Sequence, residues 1–478
     1  MMTRNFPSRN IRERVFVRGE LVFTRAVRFG GAGSALADVD EILRDSASSR
    51  PMISGATLAG ALRAYLQSYM QGHWAKEDRT HPQRAQKLFG DISEEGENDA
   101  SVMSWLMVDD AVCVQEAALS ARDGVAIDGT TRSARQGQKF DHDMLPEGTI
   151  FPLSFELQVP EAAEGDAMLE SLAVALRGLQ NGEIHFGFRK HRGSGECKAQ
   201  AWKVLRFDMH NKKDVAGWIL GDESGVREGE DIEALLLNGR KIALEDQRDE
   251  FHLRAWLEIS DTFLIRDAGV DAADPDHVPL ADSDGNPILS GWSLTGALRH
   301  RAEKILNTLN LPYAEAMTDS MFGPYQKEKK KKAPRGSRLV VKETRIKNHG
   351  YDQNPLVQTR IQVDRFTGGA MRQHLFSEIP LTKGELEVDL ALRNPCEGEI
   401  GLLLLLLKDL WTEDLPIGGE SSIGRGRLKG LRAELAWKDE RWVMAEDAGK
   451  FKLETGEPER LEKFTAAVRD WKEERDGR

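Results

Sequence analysis

The sequence PMISGATLAGALR, residues 51–63, occurs a second time as PILSGWSLTGALR, residues 287–299. Eight of the thirteen positions are identical, and the copies start 236 residues apart in a chain of 478 residues. A unit of this length is too long for a solenoid, whose repeats have about 20–50 residues. The pair therefore indicates that one whole domain is present twice.

Further matched segments follow in the same order in both halves. A longer segment with a glycine turn and a glycine-rich segment each occur twice. The longer pair is AIDGTTRSARQGQKF, residues 126–140, with QVDRFTGGAMRQHLF, residues 362–376. The glycine-rich pair is GFRKHRGSGECK, residues 187–198, with GGESSIGRGRLK, residues 418–429. The shared order predicts a tandem duplication.

The composition excludes several classes of protein. Hydrophobic residues make up 40% of the chain and charged residues 30%, which suits a buried core beneath a hydrated surface. The longest aliphatic run, residues 402–407, is far shorter than the ~20 residues of a membrane-spanning helix, and no secretory signal is recognisable. Three separated cysteines argue against a disulfide framework, so we expect a cytoplasmic protein with no membrane partner. The net charge of −12 argues against a nonspecific nucleic-acid binder but allows a local basic groove.

Each half is predicted to be an α+β domain. ERVFVRGELVFT, residues 13–24, and FHLRAWLEI, residues 251–259, are rich in β-branched or aromatic residues and predict strands. The repeated motif has apolar residues at helical spacing after a serine that can cap the helix. A second helix is predicted before each glycine-rich segment. This order matches two tandem ferredoxin-like (RRM-like, βαββαβ) domains with large insertions.

The same pattern predicts where the domains begin and end. The first domain spans residues 1–205, and a polar, acidic connector spans residues 206–250. The second domain spans residues 251–438, and residues 439–478 form a charged, helical tail.

The glycine-rich segments are the first candidate for RNA binding. A Gly-x-Gly turn lets backbone N–H groups approach a phosphate, and arginine suits the sugar-phosphate backbone. A plain turn with solvated basic side chains is the alternative, since a lone Gly-x-Gly is weak evidence. The candidate residues are Arg189, Lys190, Arg192, Gly193 and Gly195 in the first half and Gly424, Arg425, Gly426 and Arg427 in the second.

The repeated motif is the second candidate. Ser54 and Ser290 lie just before a predicted helix N-terminus, which binds anions readily. Arg63 and Arg299 lie about two turns into the helix. These arginines either contact a phosphate or pair with a nearby carboxylate, and the sequence leaves both interpretations open.

The paired longer segments predict hairpins, because Asp-Gly and Gly-Gly supply tight turns. Aromatic side chains on such hairpins can stack on a base or wedge between bases. Packing into the core is an equal alternative for the two aromatic residues at the ends of the segments. The candidates are Phe140, Phe366 and Phe376 for stacking, and Arg132 and Arg365 for contact with RNA.

Aspartates precede the repeated motif in both halves. ALADVDEILRD spans residues 35–45 and DAADPDHVPLAD spans residues 271–282, so that Asp40 corresponds to Asp276 at the spacing of 236. A carboxylate beside an RNA groove can hold a divalent metal at the scissile phosphate or help to activate a 2′-hydroxyl. A solvated acidic loop is the alternative, because such loops are common.

Together these segments resemble the RAMP superfamily of CRISPR systems. The motif PxxSGxxLxGALR, the aspartate-containing segment before it, VDRFTGGAMRQHLFSEIP and the terminal GGESSIGRGR carry the resemblance. It is closest to the backbone subunit of type III effector complexes, here with two such domains in one chain, over residues 12–205 and 252–435. The second half fits better, because the first lacks the leading Gly-Gly of the glycine-rich segment.

The resemblance implies a filament subunit that grips guide (CRISPR) RNA, with thumb hairpins that displace guide–target base pairs. In members that cut target RNA, an aspartate before the helix supports cleavage with Mg²⁺ or another divalent metal. That catalytic and metal-binding role falls to Asp40 and Asp276, with Asp38 and Asp282 as alternates because loop lengths vary. The implied partners are guide RNA, target RNA and other subunits of the complex.

Three functions stay open at this point. The chain is either a catalytic backbone subunit, a non-catalytic scaffold of the same fold, or a guide-processing endoribonuclease. The last normally needs a histidine or a comparable acid–base group, and the eleven histidines are not duplicated between the halves. Walker A, His-Glu-x-x-His and Gly-x-Ser-x-Gly motifs do not occur in the sequence.

Overall fold

The computed structural model of the protein describes residues 10–30, 42–73, 83–90, 103–116, 119–128, 131, 134–160, 163–268, 275–324, 336–350, 355–447 and 450–472. Within these residues the chain forms two halves that mix strands and helices, each with its own hydrophobic core. The α+β class and the duplication predicted from the sequence are thereby confirmed.

The elements of the first half are β1 (Ile11–Phe23), β2 (Met52–Ile53), α1 (Gly55–Gln71), α2 (Gln83–Phe89), β3 (Leu106–Val108), β4 (Ala111–Val112), β5 (Ser120–Ile127), β6 (Ala134–Met144), β7 (Ile150–Pro160), α3 (Ala163–Gln180), β8 (Cys197–Asp208), α4 (Lys212–Leu220), β9 (Arg227–Gly229) and α5 (Ile232–Leu237). The main sheet has the strand order β3-β7-β1-β8-β9, and all neighbours are antiparallel. Helices α1 and α3 pack on each other and on this sheet.

The central strand β1 shows why the sheet has one covered face. Val15, Val17, Leu21 and Phe23 are fully buried. Because side chains alternate between the two faces of a strand, these residues all point to the side on which the helices pack.

The elements of the second half are β10 (Glu250–Ile259), β11 (Arg266–Ala268), β12 (His277–Pro279), β13 (Ile288–Leu289), α6 (Gly291–Thr308), α7 (Ala314–Phe322), β14 (Leu339–Val341), β15 (Thr344–Arg345), β16 (Gln358–Val363), β17 (Ala370–Glu378), β18 (Glu385–Arg393), α8 (Glu397–Trp411), β19 (Leu428–Trp437), β20 (Glu440–Asp447), β21 (Lys450–Thr455) and α9 (Pro458–Ala467). The main sheet has the order β14-β18-β10-β19-β20-β21, again with antiparallel neighbours.

The long aliphatic run lies in α8, which is buried on nearly all sides. Leu402, Leu403, Leu406 and Leu407 are at most 2% exposed. A helix that is apolar all round belongs inside a core. Among the described residues, no helix is long and apolar enough to cross a membrane.

Hairpins stand apart from the main sheets in both halves, as predicted. Strands β5 and β6 form a separate antiparallel ribbon, and β16 and β17 form another, joined at its base by β11 and β12. Short pairs, β2 with β4 and β13 with β15, hold the start of α1 and α6 beside the main sheets.

Two predicted segments are more structured than expected. In residues 206–250, strand β9 extends the first sheet and α5 packs on α3, so this segment folds onto the first half. Residues 439–478 were expected to be helical, but β20 and β21 extend the second sheet before α9 begins. The buried pair Trp442 and Met444 has the two-residue period of a strand, which explains the difference.

Candidate nucleic-acid interface and catalytic loop

Both copies of the repeated motif begin a helix with a serine cap. Ser54 Oγ accepts a hydrogen bond from the N–H of Thr57 at 3.2 Å, and Ser290 Oγ accepts one from the N–H of Trp292 at 3.2 Å. Capping of this kind satisfies a helical N–H group that otherwise has no partner. Ser290 is only 2% exposed, so its side chain serves as a cap and is not available to RNA at the surface.

The arginines of the motif differ between the halves. Arg299 is 6% exposed, and its guanidinium donates to the Gly323 carbonyl and pairs with Asp319 at 2.6 Å. The second of the two interpretations, pairing with a carboxylate, therefore holds for Arg299, and contact with RNA does not fit its position. Arg63 is partly exposed.

The first glycine loop, residues 187–195, packs against the start of α6 in the second half. Gly193 has φ of +85°, and a Cβ at this position would lie 2.6 Å from the backbone nitrogen of Glu343. Trp292 Nε1–H donates to Ser194 Oγ at 3.0 Å. A Cβ on Gly291 would overlap the carbonyl oxygen of Arg192. We call this contact between the two halves the joint.

The joint changes the role of the loop glycines. Gly193 allows two segments of protein backbone to approach each other across the joint. Gly195 allows the loop to approach the carbonyl of Phe186, the residue just before it. Absence of a side chain suits such close approach as well as it suits a phosphate. These two glycines are therefore occupied by protein contacts, contrary to the phosphate-binding interpretation.

The basic residues of this loop lie against the second half. The Arg189 guanidinium stacks over the Trp292 ring at 4.1 Å, and burial lowers the pKa of Arg189 to about 10, assisted by the charge of Arg192. Burial likewise lowers the pKa of Lys190. His191 Nδ1 bonds the Ser337 carbonyl at 2.7 Å, and burial lowers its pKa to about 3, so this ring is neutral at pH 7.

A buried ion pair crosses the joint. Arg122 of β5 donates to both carboxylate oxygens of Glu343, at 2.7 and 3.3 Å, and the two residues are 7% and 2% exposed. Arg25 Nε also donates to the Glu343 carbonyl at 3.1 Å. A bidentate arginine–carboxylate pair fixes geometry as well as charge. The hairpin of the first half is thus tied at its base to the second half.

A matched pair of glycine variants tests whether Gly193 is needed for the joint. Gly193 and Gly424 occupy corresponding places in the two loops, with φ of +85° and +97°, but a Cβ on Gly424 meets open space. Alanine at either position costs about 1–2 kcal/mol of left-handed backbone strain. We expect Gly193→Ala to lower the free energy of unfolding by a further ~1–3 kcal/mol, because its methyl group overlaps Glu343. Urea unfolding of both variants measures this difference, and equal losses would contradict the packing role.

The second glycine loop, residues 418–427, folds onto the base of its own hairpin. Arg425 is 2% exposed and pairs with Glu378 at 2.8 Å and with Glu420 at 2.7 Å. Arg266 and Arg360 contact the same two carboxylates. Burial opposes ionisation of Glu378, but its bonds with Arg425 and Arg360 outweigh burial and lower its pKa. We call these five residues the carboxylate cluster.

Only one of the two arginines predicted to bind RNA in this loop belongs to the carboxylate cluster. Arg425 pairs with carboxylates of the protein. Its position in a glycine–arginine turn did not indicate this pairing. Arg427 is exposed. A Cβ on Gly426 would overlap the Ile417 carbonyl, so this glycine also allows a close approach of protein backbone.

The hairpins carry exposed apolar side chains along their strands. Val125 and Ile127 are 46% and 54% exposed in the first hairpin, and Ile361 and Val363 are 53% and 50% exposed in the second. Both hairpins therefore offer apolar side chains to a binding partner.

The predicted aromatic residues have different surroundings. Phe366 lies at the tip of the second hairpin and is fully exposed, with the exposed Arg365 beside it. Phe376 is half-buried, with the Arg360 guanidinium 5.5 Å from its ring centre. The side chain of Phe140 and all of Arg132 lie outside the described residues.

Asp276 is joined to the base of the second hairpin. Its Oδ2 accepts hydrogen bonds from the N–H of Ser377 at 2.8 Å and from Ser377 Oγ at 3.3 Å. These bonds, the backbone bond first, lower the pKa of Asp276, so its carboxyl is ionised at neutral pH. Asp276 is exposed, and among the described residues no hydrogen bond reaches its Oδ1.

The other candidate aspartates are placed differently or not described. Asp282 Oδ1 accepts from the N–H groups of Asp284 and Asn286 at 3.0 and 2.9 Å, and Oδ2 pairs with Arg345. Its side chain is 7% exposed, so it stabilises the turn before β13. Asp38 and Asp40 lie outside the described residues.

Comparison with protein families agrees with this duplicated geometry. A model of the RAMP superfamily matches residues 24–198 and 264–429, one match in each half and together more than half of the chain. The chain belongs to the RAMP superfamily. A RAMP protein is a CRISPR-associated RNA-binding subunit, and the two matches correspond to two fused RAMP domains. No curated protein matches the chain.

The donor set of this RAMP protein constrains how a metal would bind. Among the described residues, no group of three or more histidine, cysteine, aspartate or glutamate side chains is arranged to hold a metal ion. Mg²⁺ is commonly held by one or two carboxylates together with waters and substrate phosphates. The exposed carboxylate of Asp276 fits that mode, and a metal held entirely by the described protein residues does not fit.

Several residues that shape these RAMP domains escaped the sequence comparison. Trp292 replaces Ala56 at the corresponding position of the repeated motif, and this difference was the readable sign that the two helix starts have different neighbours. Arg122 and Glu343 lie outside the quoted motifs, and Ser377 lies inside VDRFTGGAMRQHLFSEIP without having been singled out. The roles of all three depend on contacts between distant parts of the chain.

Proposed function

We propose that this RAMP protein is a backbone subunit of a type III CRISPR effector complex that binds guide RNA and cleaves guide-paired target RNA with a divalent metal. The two family matches and the hairpin in each half support the backbone role. Cleavage rests on one observation, the bonds between Asp276 and Ser377 at the base of the second hairpin. They hold a candidate catalytic carboxylate beside the element proposed to open the guide–target duplex.

We further infer that both halves are ferredoxin-like domains. In each main sheet the first long strand lies in the centre, between the last strand of the βαββαβ series and the third. The orders β3-β7-β1-β8 and β14-β18-β10-β19 support this assignment, since both correspond to second, third, first and fourth.

The exposed hairpin residues are the proposed contacts with the guide–target duplex. Phe366 has the size and exposure to enter a gap between bases, where an aromatic ring replaces base stacking. The strips formed by Val125 with Ile127 and by Ile361 with Val363 would cover the unstacked bases. Arg365 and Arg427 are exposed and suit the sugar-phosphate backbone.

The proposed reaction is an internal transesterification. The 2′-oxygen of the target attacks the adjacent phosphorus, the P–O5′ bond breaks, the 2′ proton passes to water and the leaving 5′-oxygen takes a proton from water. The products are a 2′,3′-cyclic phosphate and a 5′-hydroxyl. A divalent cation, when bound, supplies positive charge at the non-bridging phosphate oxygens. Asp276 would hold and orient that cation through its exposed carboxylate.

Target cleavage by the assembled complex tests the proposal. The chain is assembled with guide RNA and its partner subunits, and end-labelled matched target is added with Mg²⁺ or with EDTA. We expect cuts that need Mg²⁺ and that disappear when the nucleotide 5′ of the cut is 2′-deoxy. A bound but intact target in Mg²⁺ and in Mn²⁺ would make the chain a non-catalytic scaffold, and cutting of a guide precursor instead would make it a guide-processing enzyme.

A further inference from the structure

Asp276 and Ser377 exchange hydrogen bonds in both directions. Besides the two bonds received by Asp276 Oδ2, the backbone N–H of Asp276 donates to Ser377 Oγ at 3.3 Å. The serine hydroxyl therefore donates to the carboxylate and accepts from the backbone of the same residue. Because these bonds hold both the backbone N–H and the carboxylate Oδ2 of Asp276, its side chain has little freedom to turn, although Asp276 lies in an exposed loop.

The strand that carries Ser377 is itself anchored one residue further on. Glu378 is 0% exposed and is held by Arg425 at 2.8 Å, by Arg266 at 2.9 Å and by Arg360. Successive side chains of a strand point to opposite faces. Because the carboxylate cluster holds Glu378 on one face, the side chain of Ser377 is held on the other, where Asp276 lies.

The backbone completes the connection between the loop and the hairpin. His277, next to Asp276, forms a parallel bridge with Glu378, and the N–H of Ile379 donates to the His277 carbonyl at 3.1 Å. Main-chain and side-chain hydrogen bonds therefore both connect Asp276 and His277 to strand β17. A movement of the hairpin base would carry Asp276 with it.

We propose that Ser377 is a positioning residue that holds the Asp276 carboxylate, and any cation bound to it, at the scissile phosphate, with the carboxylate cluster as its support. This inference rests on the proposed cleavage of target RNA. Bonds of this kind to a metal-binding carboxylate typically affect metal affinity or activity by about 10–100-fold.

The two halves differ at this position. Residues 236 positions apart correspond in the hairpins, so Asp141 in β6 takes the place of Ser377 in β17. Asp141 pairs with Asp123 across its ribbon, whereas Ser377 pairs with Thr359. The sequence therefore supplies the serine hydroxyl at this position only in the second half.

The test compares Ser377→Ala with Ser377→Thr, which keeps the hydroxyl, and with Thr359→Ala, which alters the neighbouring strand without touching Asp276. Each variant is assembled with guide RNA, and single-turnover cleavage is measured at saturating target. Mn²⁺ binding is measured by electron paramagnetic resonance on complexes loaded with a 2′-deoxy target. Hydrogen exchange is followed in the peptide that contains residues 275–280.

We expect Ser377→Ala to bind guide and target like wild type while the cleavage rate assigned to Asp276 falls about 10-fold. Its Mn²⁺ affinity should fall by a similar factor, and exchange in residues 275–280 should quicken. Ser377→Thr and Thr359→Ala should resemble wild type.

Three results would separate an error in the proposed function from an error in the positioning role. If Asp276→Ala cleaves like wild type, the proposed function is wrong at this site. If Asp276→Ala stops cleavage but Ser377→Ala matches Thr359→Ala in rate, Mn²⁺ affinity and exchange, the positioning role is wrong and the proposed function stands. Equal defects in Ser377→Ala and Ser377→Thr would also overturn the positioning role, because the hydroxyl would then not be the cause.

Discussion

Asp276→Ala is expected to abolish one of the target cuts while the complex still binds guide and target. Loss of the carboxylate removes the proposed protein ligand of the metal, whose stabilisation of charge at the phosphate is worth several kcal/mol. The rate at that cut should therefore fall about 100-fold or more. Since Asp276 is exposed and bonded only to Ser377 among the described residues, the thermal stability of the chain should change little.

The alternates provide matched controls for this result. Asp282→Ala removes one of the carboxylate partners of Arg345 and the acceptor of the Asn286 N–H, so it should lower the melting temperature and leave the cut in place. Asp40→Ala should affect only the cut made by the first half. Measuring each cut separately on a sequencing gel distinguishes the three variants. Unchanged cutting in both Asp40→Ala and Asp276→Ala would remove the catalytic assignment altogether.

Glu343→Gln is expected to weaken the joint strongly. The change keeps the shape of the side chain but leaves Arg122 buried without its counter-charge. Breaking a buried pair in this way typically costs about 3–5 kcal/mol. The loss should appear as a lower free energy of unfolding in urea and as faster proteolysis of the chain between the halves.

Two further variants show whether charge is the cause. Lys203 and Glu228 form a pair with side chains 51% and 62% exposed, so Glu228→Gln should cost less than about 1 kcal/mol. The double change Arg122→Met with Glu343→Leu removes both charges and keeps apolar volume, and it should recover much of the loss. A double variant as unstable as Glu343→Gln would show that shape, and not an unpaired charge, dominates at this position.

Local pattern was sufficient to predict most of the fold. The strands β1 and β10, the serine-capped helices α1 and α6, and both hairpins were predicted from periodicity, capping residues and turns, and the structure confirms them. These features depend on neighbours within a few residues. The strands β20 and β21 were missed because the high charge of this segment outweighed the two-residue period of Trp442 and Met444 in the prediction.

The candidate site was harder to predict from the sequence, because glycine and arginine are equally suited to contacts with RNA and to contacts within the protein. Gly193 looked suited to a phosphate, and the structure uses it against Glu343. Arg425 looked like a surface cation, and its counter-charges Glu378 and Glu420 come from elsewhere in the fold. Burial is a property of the assembled chain, so a short motif could not reveal it. The place of Asp276 before the helix was predicted, but its bond to Ser377 was not.

The joint is built from residues of both domains. The first domain receives Trp292 and Glu343 from the second, so neither domain made alone would have a finished surface at this contact. As two separate molecules they would have to meet by diffusion, at a rate set by their concentrations. Within one chain the local concentration of each for the other is fixed by the link between them. The two domains are thus always present in equal number and in the same order, whatever the amount of protein in the cell.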